Sequence, residues 1–212
     1  MSSLIFYTDE TQIVVATDSL AVDENGNPAF FCSKAVHIPH LKTVIAGTGA
    51  SGFANEWALN VSTRMVLAGI HNLDYLTPEG LRNLWEEYQK RYSYPDDFTT
   101  TVYQFGISEE SGKVVTFAYR SVNNFVSEGV GYGTGVKPEC SIQTNGSLNE
   151  TIPLMMKEQR EIQEKVPMQE RVFIGGEIMA FHLTENGCST FKLGQFDDLN
   201  EQKETIFNNY AK

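Results

Sequence analysis

The stretch "MSSLIFYTDETQIVVATDSLAV", residues 1–22, decides how the rest of the chain is read. Two short runs in it, residues 4–7 and 12–19, are rich in β-branched and aromatic side chains and flank the polar turn Thr8-Asp9-Glu10-Thr11. That pattern predicts a β-hairpin at the very start of the chain.

Outward from the hairpin, Asn25-Gly26-Asn27-Pro28 is a strong turn signal, and residues 29–38 and 42–46 predict a second extended pair around Pro39. Four strands are therefore expected before any helix. After "AGTGASG" (46–52) the period changes. Phe53, Trp57, Val61, Met65 and Ala68 recur at helical spacing and predict a first helix. A second is expected from Thr77 as N-cap, with Pro78 in its first turn and Leu81, Leu84, Trp85 and Tyr88 as its apolar stripe. Residues 100–107, 114–120 and 125–130 read as strands, with a turn at 109–112. Ser147 and Glu150 have capping-box spacing and open a charged helix to about residue 165, whose second half reads as largely solvated. Residues 172–184 and 189–196, joined by Glu185-Asn186-Gly187, predict a closing hairpin before a polar tail.

This order predicts an α+β fold of antiparallel sheets with helices packed outside them. Regular βα alternation is missing, which disfavours a doubly wound parallel sheet. With 41 % hydrophobic residues, the 212 residues are expected to form a single domain, 1–212, with a substantial core.

Several function classes lack support. A formal charge of −11 with no cluster of Lys and Arg argues against nucleic acid as a partner. No apolar run approaches the roughly 20 residues that span a bilayer, and no leader pattern is visible. The expectation is a cytoplasmic protein without a membrane partner. Cys32, Cys140 and Cys188 are odd in number and widely spaced, and so read as reduced core residues. His37 and His40 straddle Pro39 with no acidic neighbour, so neither a metal nor any other cofactor is expected. GxSxG, HExxH, Walker and CxxC motifs are all missing. The run "GVGYGTG" (129–135) lacks phosphate-loop spacing and reads as a turn region.

What remains is a dispersed set: Ser2, Asp18, Lys34 and Gly47. Singly each is weak, but "IVVATDSLAV" (13–22), "KAVHI" (34–38) and "TVIAGTGA" (43–50) together resemble the start of proteasome β-type subunits and of the related bacterial ring-forming heat-shock protease. The resemblance puts Ser2 at the family's terminal nucleophile and Lys34 at its lysine without a gap, and reaches Gly47 with one deletion. "GGEIMAFHLTENG" (175–187) looks like the family's late strand and turn. The fold implied is a four-layer αββα sandwich, two antiparallel sheets flanked by helices.

The chemistry implied is that of an N-terminal-nucleophile hydrolase cleaving peptide or amide bonds. A serine hydroxyl is a poor nucleophile, but a free α-amino group, with a pKa of about 7.7–8.0, can take its proton directly or through water. By resemblance Lys34 assists that proton loss, Asp18 orients Lys34, and the Gly47 N–H stabilises the oxyanion. Removal of Met1 is expected to expose Ser2, with no propeptide to cleave. Alignment makes Leu20, Val22 and Thr48 substrate-lining candidates, and family resemblance implies a homo-oligomer of the ring-forming kind with an ATPase partner.

The chain also departs from the pattern. Arg171 stands where the family has an aspartate, Ile174 where it has a serine, and Leu20 where an arginine is common. The family's Gly-Ser-Gly is matched only by Gly131-Tyr132-Gly133 or Gly133-Thr134-Gly135. These departures keep open a non-catalytic ring or scaffold subunit of the same fold, and a blander reading in which Asp18 and Lys34 form only a structural pair.

Overall fold

The computed structural model describes residues 3–95, 97–142 and 146–210. In chain order the strands are β1 (Leu4–Thr8), β2 (Gln12–Asp18), β3 (Leu20–Val22), β4 (Pro28–Phe31), β5 (Ala35–Ile38), β6 (Thr43–Thr48), β7 (Thr101–Ile107), β8 (Val114–Arg120), β9 (Ser127–Gly129), β10 (Gly133–Lys137), β11 (Glu177–Thr184) and β12 (Gly187–Gln195). Helices α1 (Phe53–Arg64) and α2 (Ile70–Tyr92) follow β6, α3 (Leu148–Gln163) follows β10, and α4 (Leu199–Tyr210) follows β12.

The opening hairpin forms as the sequence predicts, with Leu4 opposite Thr17 and Thr8 opposite Ile13. Asp9 builds its turn: Oδ1 accepts the Thr11 and Gln12 backbone N–H groups at 2.8 and 3.1 Å, and Oδ2 accepts Gln12 Nε2 at 2.9 Å. Side chains then alternate across the pleat. Leu4, Phe6, Ile13 and Val15 enter one apolar cluster, while Ile5, Val14 and Ala16 enter another. Burial on both faces explains why the run is apolar almost throughout.

Two five-stranded antiparallel sheets result, ordered β10-β1-β2-β11-β12 and β5-β6-β7-β8-β9, with β3 and β4 as a separate pair. The α+β class with antiparallel sheets is as the sequence predicts. Leu4, Phe6, Val15 and Phe181 of the first sheet meet Val44, Ala46, Tyr103 and Phe105 of the second in one cluster. Ile45, Val102 and Tyr119 of the second sheet pack with Phe53 and Trp57 of α1 and Leu73, Leu81 and Trp85 of α2. Ile5, Ala16 and Ile178 of the first sheet pack with Ile152, Met155 and Met156 of α3. None of the helices among the described residues is long and apolar enough to cross a membrane.

Several sequence expectations need correction. Residues 29–38 are two strands, because the chain breaks at residues 32–34: Cys32 N–H donates to Ser19 O at 2.9 Å, and the Ser33 hydroxyl donates to Ala35 O at 2.5 Å. Six strands therefore precede the first helix.

The first helix stops at Arg64, short of Met65 and Ala68, and the second starts at Ile70, not Thr77. Thr77 lies inside α2, its hydroxyl donating to Leu73 O and accepting Gln104 Nε2, both at 2.8 Å. The N-terminal cap comes from a distant turn. The Glu109 carboxylate accepts the backbone N–H groups of His71 and Asn72 at 3.2 and 3.4 Å, contacts that sequence spacing cannot reveal.

The glycine-rich run ends inside β10, which pairs with β1. A Cβ on Gly135 would lie 2.1 Å from Phe6 Cζ, so the strand can cover that ring only by lacking side chains. Finally, the polar tail forms α4, with Leu199 and Gln202 buried, and the second half of α3 is not wholly solvated, since Gln159 is fully buried.

Candidate functional site

Asp18 ends β2 and is fully buried. The hairpin register, one step beyond the Leu4–Thr17 pair, brings Ser3 opposite it. Ser3 N–H donates to Asp18 Oδ1 at 3.0 Å. Lys34 lies in the break between β4 and β5, and its Nζ reaches Oδ1 at 2.9 Å and Oδ2 at 2.8 Å. Gly175 N–H completes the set, donating to Oδ2 at 3.2 Å.

The ion pair is almost dry, with the Lys34 side chain 9 % exposed and that of Asp18 at 0 %. Attraction alone repays such burial poorly, and the two backbone donors supply what the carboxylate would otherwise take from water. The loop before β11 is latched to the end of β2. Ser19 and Leu20 N–H groups donate to Gly175 O at 3.2 and 3.1 Å, and Glu177 N–H donates to the Ser19 hydroxyl at 2.8 Å.

Lys34 and Gly47 border one cavity of about 170 Å³, together with the three lining candidates Leu20, Val22 and Thr48. Two of the residues chosen from sequence intervals, Lys34 and Gly47, therefore face one cavity. Cys32, Ala50, Phe30 and Phe173 extend a mainly apolar wall, on which Lys34 is the one charged side chain among the described residues. Burial pushes the Cys32 thiol upward, Lys34 pulls it down and Asp18 pushes it up, with a net rise. Gly47 is held close: a Cβ there would lie 2.6 Å from Ala54 Cβ and 2.9 Å from Thr101 O. Ser2, the expected nucleophile, lies outside the described residues.

The chain matches no protein-family model and no curated protein.

Two departures from the family pattern acquire structural roles. Arg171 donates through Nη2 to Glu164 O at 2.7 Å and through Nε to Val166 O at 3.2 Å, holding carbonyls at the end of α3. Ile174 is 4 % exposed inside the cluster that includes Met155 and Met156. Neither side chain supplies a hydrogen bond to Asp18. The Gly133-Thr134-Gly135 match lies opposite Thr8, Tyr7 and Phe6, toward the hairpin turn and away from Asp18.

Five polar residues, Ser3, Gln159, Arg160, Asp198 and Gln202, carry no signal in the sequence reading. Ser3 Oγ donates to Gln159 Oε1 at 2.5 Å, and Gln159 Nε2 donates to Pro138 O. Arg160 makes a two-pronged pair with Asp198 at 2.7 and 2.8 Å. Gln202 accepts Gly176 N–H at 3.0 Å and donates to Asp198 at 2.8 Å. The bond to Asp198 raises the Arg160 pKa, and the same bond lowers that of Asp198. Gln159 and Arg160 sit in the charged run "KEQREIQEK", which carries no local sign of burial. Among the described residues, no group of three or more His, Cys, Asp or Glu side chains is placed to hold a metal.

Proposed function

We propose that the chain is an N-terminal-nucleophile hydrolase that cleaves peptide or amide bonds through Ser2 once its amine is free, in a four-layer αββα sandwich. The layer assignment is supported by the three apolar clusters, one between the sheets and one beneath the helices on each outer side. The single observation that carries the activity is the sharing of Asp18 by Lys34 and by the backbone of Ser3, the residue bonded to Ser2.

In this reading the Ser2 amine takes the hydroxyl proton as Oγ attacks the carbonyl, forming the tetrahedral intermediate. The Lys34 ammonium, held by both Asp18 oxygens, opposes protonation of the amine beforehand and stabilises developing negative charge. The Gly47 N–H is the oxyanion donor. Collapse returns the proton to the departing amine and leaves an acyl-Ser2 ester, which water then hydrolyses. The apolar wall beside Lys34 suits a neutral, apolar side chain on the acyl side of the bond. The same reading carries a homo-oligomeric ring with an ATPase partner, which light scattering and co-purification test.

The activity is tested by preparing the protein with Ser2 as its measured first residue and adding a β-lactone or peptide epoxyketone. One adduct on Ser2, lost in Lys34→Met, is expected. No adduct together with no turnover of an amide panel overturns the reading.

A second reading, a non-catalytic ring or scaffold subunit, is favoured by Arg171 and Ile174, which serve helix capping and core packing where the family has hydrogen-bonding site residues. It predicts ring-sized particles from protein that takes no label.

A further inference from the structure

The geometry points to α3 as a brace that positions the Asp18 carboxylate from both flanks through two adjacent side chains, Gln159 and Arg160. On one flank Gln159 accepts the Ser3 hydroxyl at 2.5 Å and donates to Pro138 O, while the Ser3 amide donates to Asp18 Oδ1 at 3.0 Å. On the other, Arg160 grips Asp198, Asp198 accepts Gln202 Nε2, and Gln202 Oε1 accepts Gly176 N–H. The neighbouring Gly175 N–H donates to Asp18 Oδ2 at 3.2 Å. Successive helix residues point about 100° apart, so one turn of α3 serves both sides of a single carboxylate.

Burial makes this more than a convenient packing contact. Gln159 is 0 % exposed and Gln202 5 % exposed, and a buried primary amide is costly unless its two ends are matched. Here each amide is matched at both ends, and the oxygen of each accepts from a residue, Ser3 or Gly176, at or beside a backbone donor to Asp18. A methionine at 159 would extend the apolar surface of Ile152, Met155 and Met156, but it would take away the partner of the buried Ser3 hydroxyl and of the Pro138 carbonyl. The glutamine therefore contributes direction: it fixes the Ser3 amide, which belongs to the peptide bond joining Ser3 to Ser2. Both residues are positioning residues, acting through Ser3 and the 175–176 backbone. Their consequence for catalysis rests on the proposed function, but their effect on Asp18 does not.

The test uses the full chain and its amide resonances. In the parent protein the Ser3 and Gly175 amide protons should lie downfield, because both face a carboxylate. Gln159→Met should move the Ser3 amide upfield and speed its hydrogen exchange about tenfold, the loss expected for one such bond, with Gly175 little changed. Arg160→Met should do the reverse. Should either variant fail to fold, Ser3→Ala, which deletes only the hydroxyl held by Gln159, and Asp198→Asn, which weakens the Arg160 grip, carry the same predictions. A lower denaturation midpoint with both amides unmoved makes the brace purely structural and overturns the inference. In label-competent protein, Gln159→Met should lower the maximal labelling rate about tenfold at nearly unchanged half-saturation. Unlabelled Ser2 and no amide turnover, with responsive amides, would defeat the proposed function alone; labelled Ser2 with unresponsive amides would defeat the brace alone.

Discussion

Ser3 and Lys34 bind the same oxygen of one buried carboxylate: Asp18 Oδ1 accepts the Ser3 amide at 3.0 Å and the Lys34 ammonium at 2.9 Å. The strand that begins the chain and the bend that carries the cation are thus joined through one atom. Any change at Asp18 reaches the chain start, the cavity wall and the 175–176 loop together.

Replacing either partner of the buried pair has unequal consequences. Asp18→Asn presents an amide donor to a group of donors and leaves a nearly buried ammonium unpaired; it should cost about 3–5 kcal/mol in urea unfolding. Lys34→Met leaves a carboxylate still bonded by Ser3 and Gly175 N–H groups, and should cost less. Equal losses would mean that those backbone donors contribute nothing.

Gly47→Ala tests how tightly β6 is held against α1. The added methyl group meets Ala54 Cβ at 2.6 Å and the Thr101 carbonyl at 2.9 Å, so strand and helix must separate. Overpacking of this kind should cost about 1–3 kcal/mol in unfolding free energy. Adding Ala54→Gly should recover only part of the loss, because the Thr101 clash is with backbone. Full recovery would place the whole strain in the helix contact.

What could be read from sequence was whatever depends on neighbours along the chain. Strand alternation around Asp9, the stripe Leu81, Leu84, Trp85 and Tyr88, and the turn at 185–187 all rest on local spacing, and each recurs in the fold. The start of α2 was hidden because its cap is Glu109, and β10 because Gly135 must lack a side chain to cover Phe6. Asp18, Lys34 and Gly47 came from intervals carried by resemblance, and the first two meet while Gly47 and Lys34 border one cavity. Gln159 and Gln202 were invisible because their amide oxygens accept from Ser3 and Gly176, groups distant in sequence, while their immediate neighbours along the chain are mostly polar or charged.

The turn residue Asp9 gives the hairpin an acid limb. Slight burial works to raise its pKa, but the Thr11 N–H and then the Gln12 side chain stabilise the charge, and the value falls from 3.8 to about 2. The unfolded chain therefore binds more protons in this range, so the contribution is complete above about pH 4 and disappears as pH falls toward 2. Asp9→Ala should cost about 1 kcal/mol at neutral pH. Its gap from the parent in urea midpoint should close on acidification. A gap that stays constant with pH would show that Asp9 acts through turn conformation rather than charge.

Cys32 offers a way into the cavity without touching Asp18 or Lys34. Its thiol is pushed above the ordinary value of 9.0, chiefly by burial, with Lys34 opposing and Asp18 adding to the rise. Thiolate is the reacting form, so alkylation by iodoacetamide should be slow at pH 7 and should quicken about tenfold per pH unit until above pH 9. The adduct would occupy part of a cavity of about 170 Å³ bordered by Lys34 and Gly47. Alkylated protein should lose reactivity toward epoxyketones with apolar side chains, while Cys32→Ser treated identically should keep it. Peptide mass analysis locates the modification, since Cys140 and Cys188 are also free thiols. Undiminished labelling after complete Cys32 alkylation would place the acyl-side pocket somewhere other than this wall.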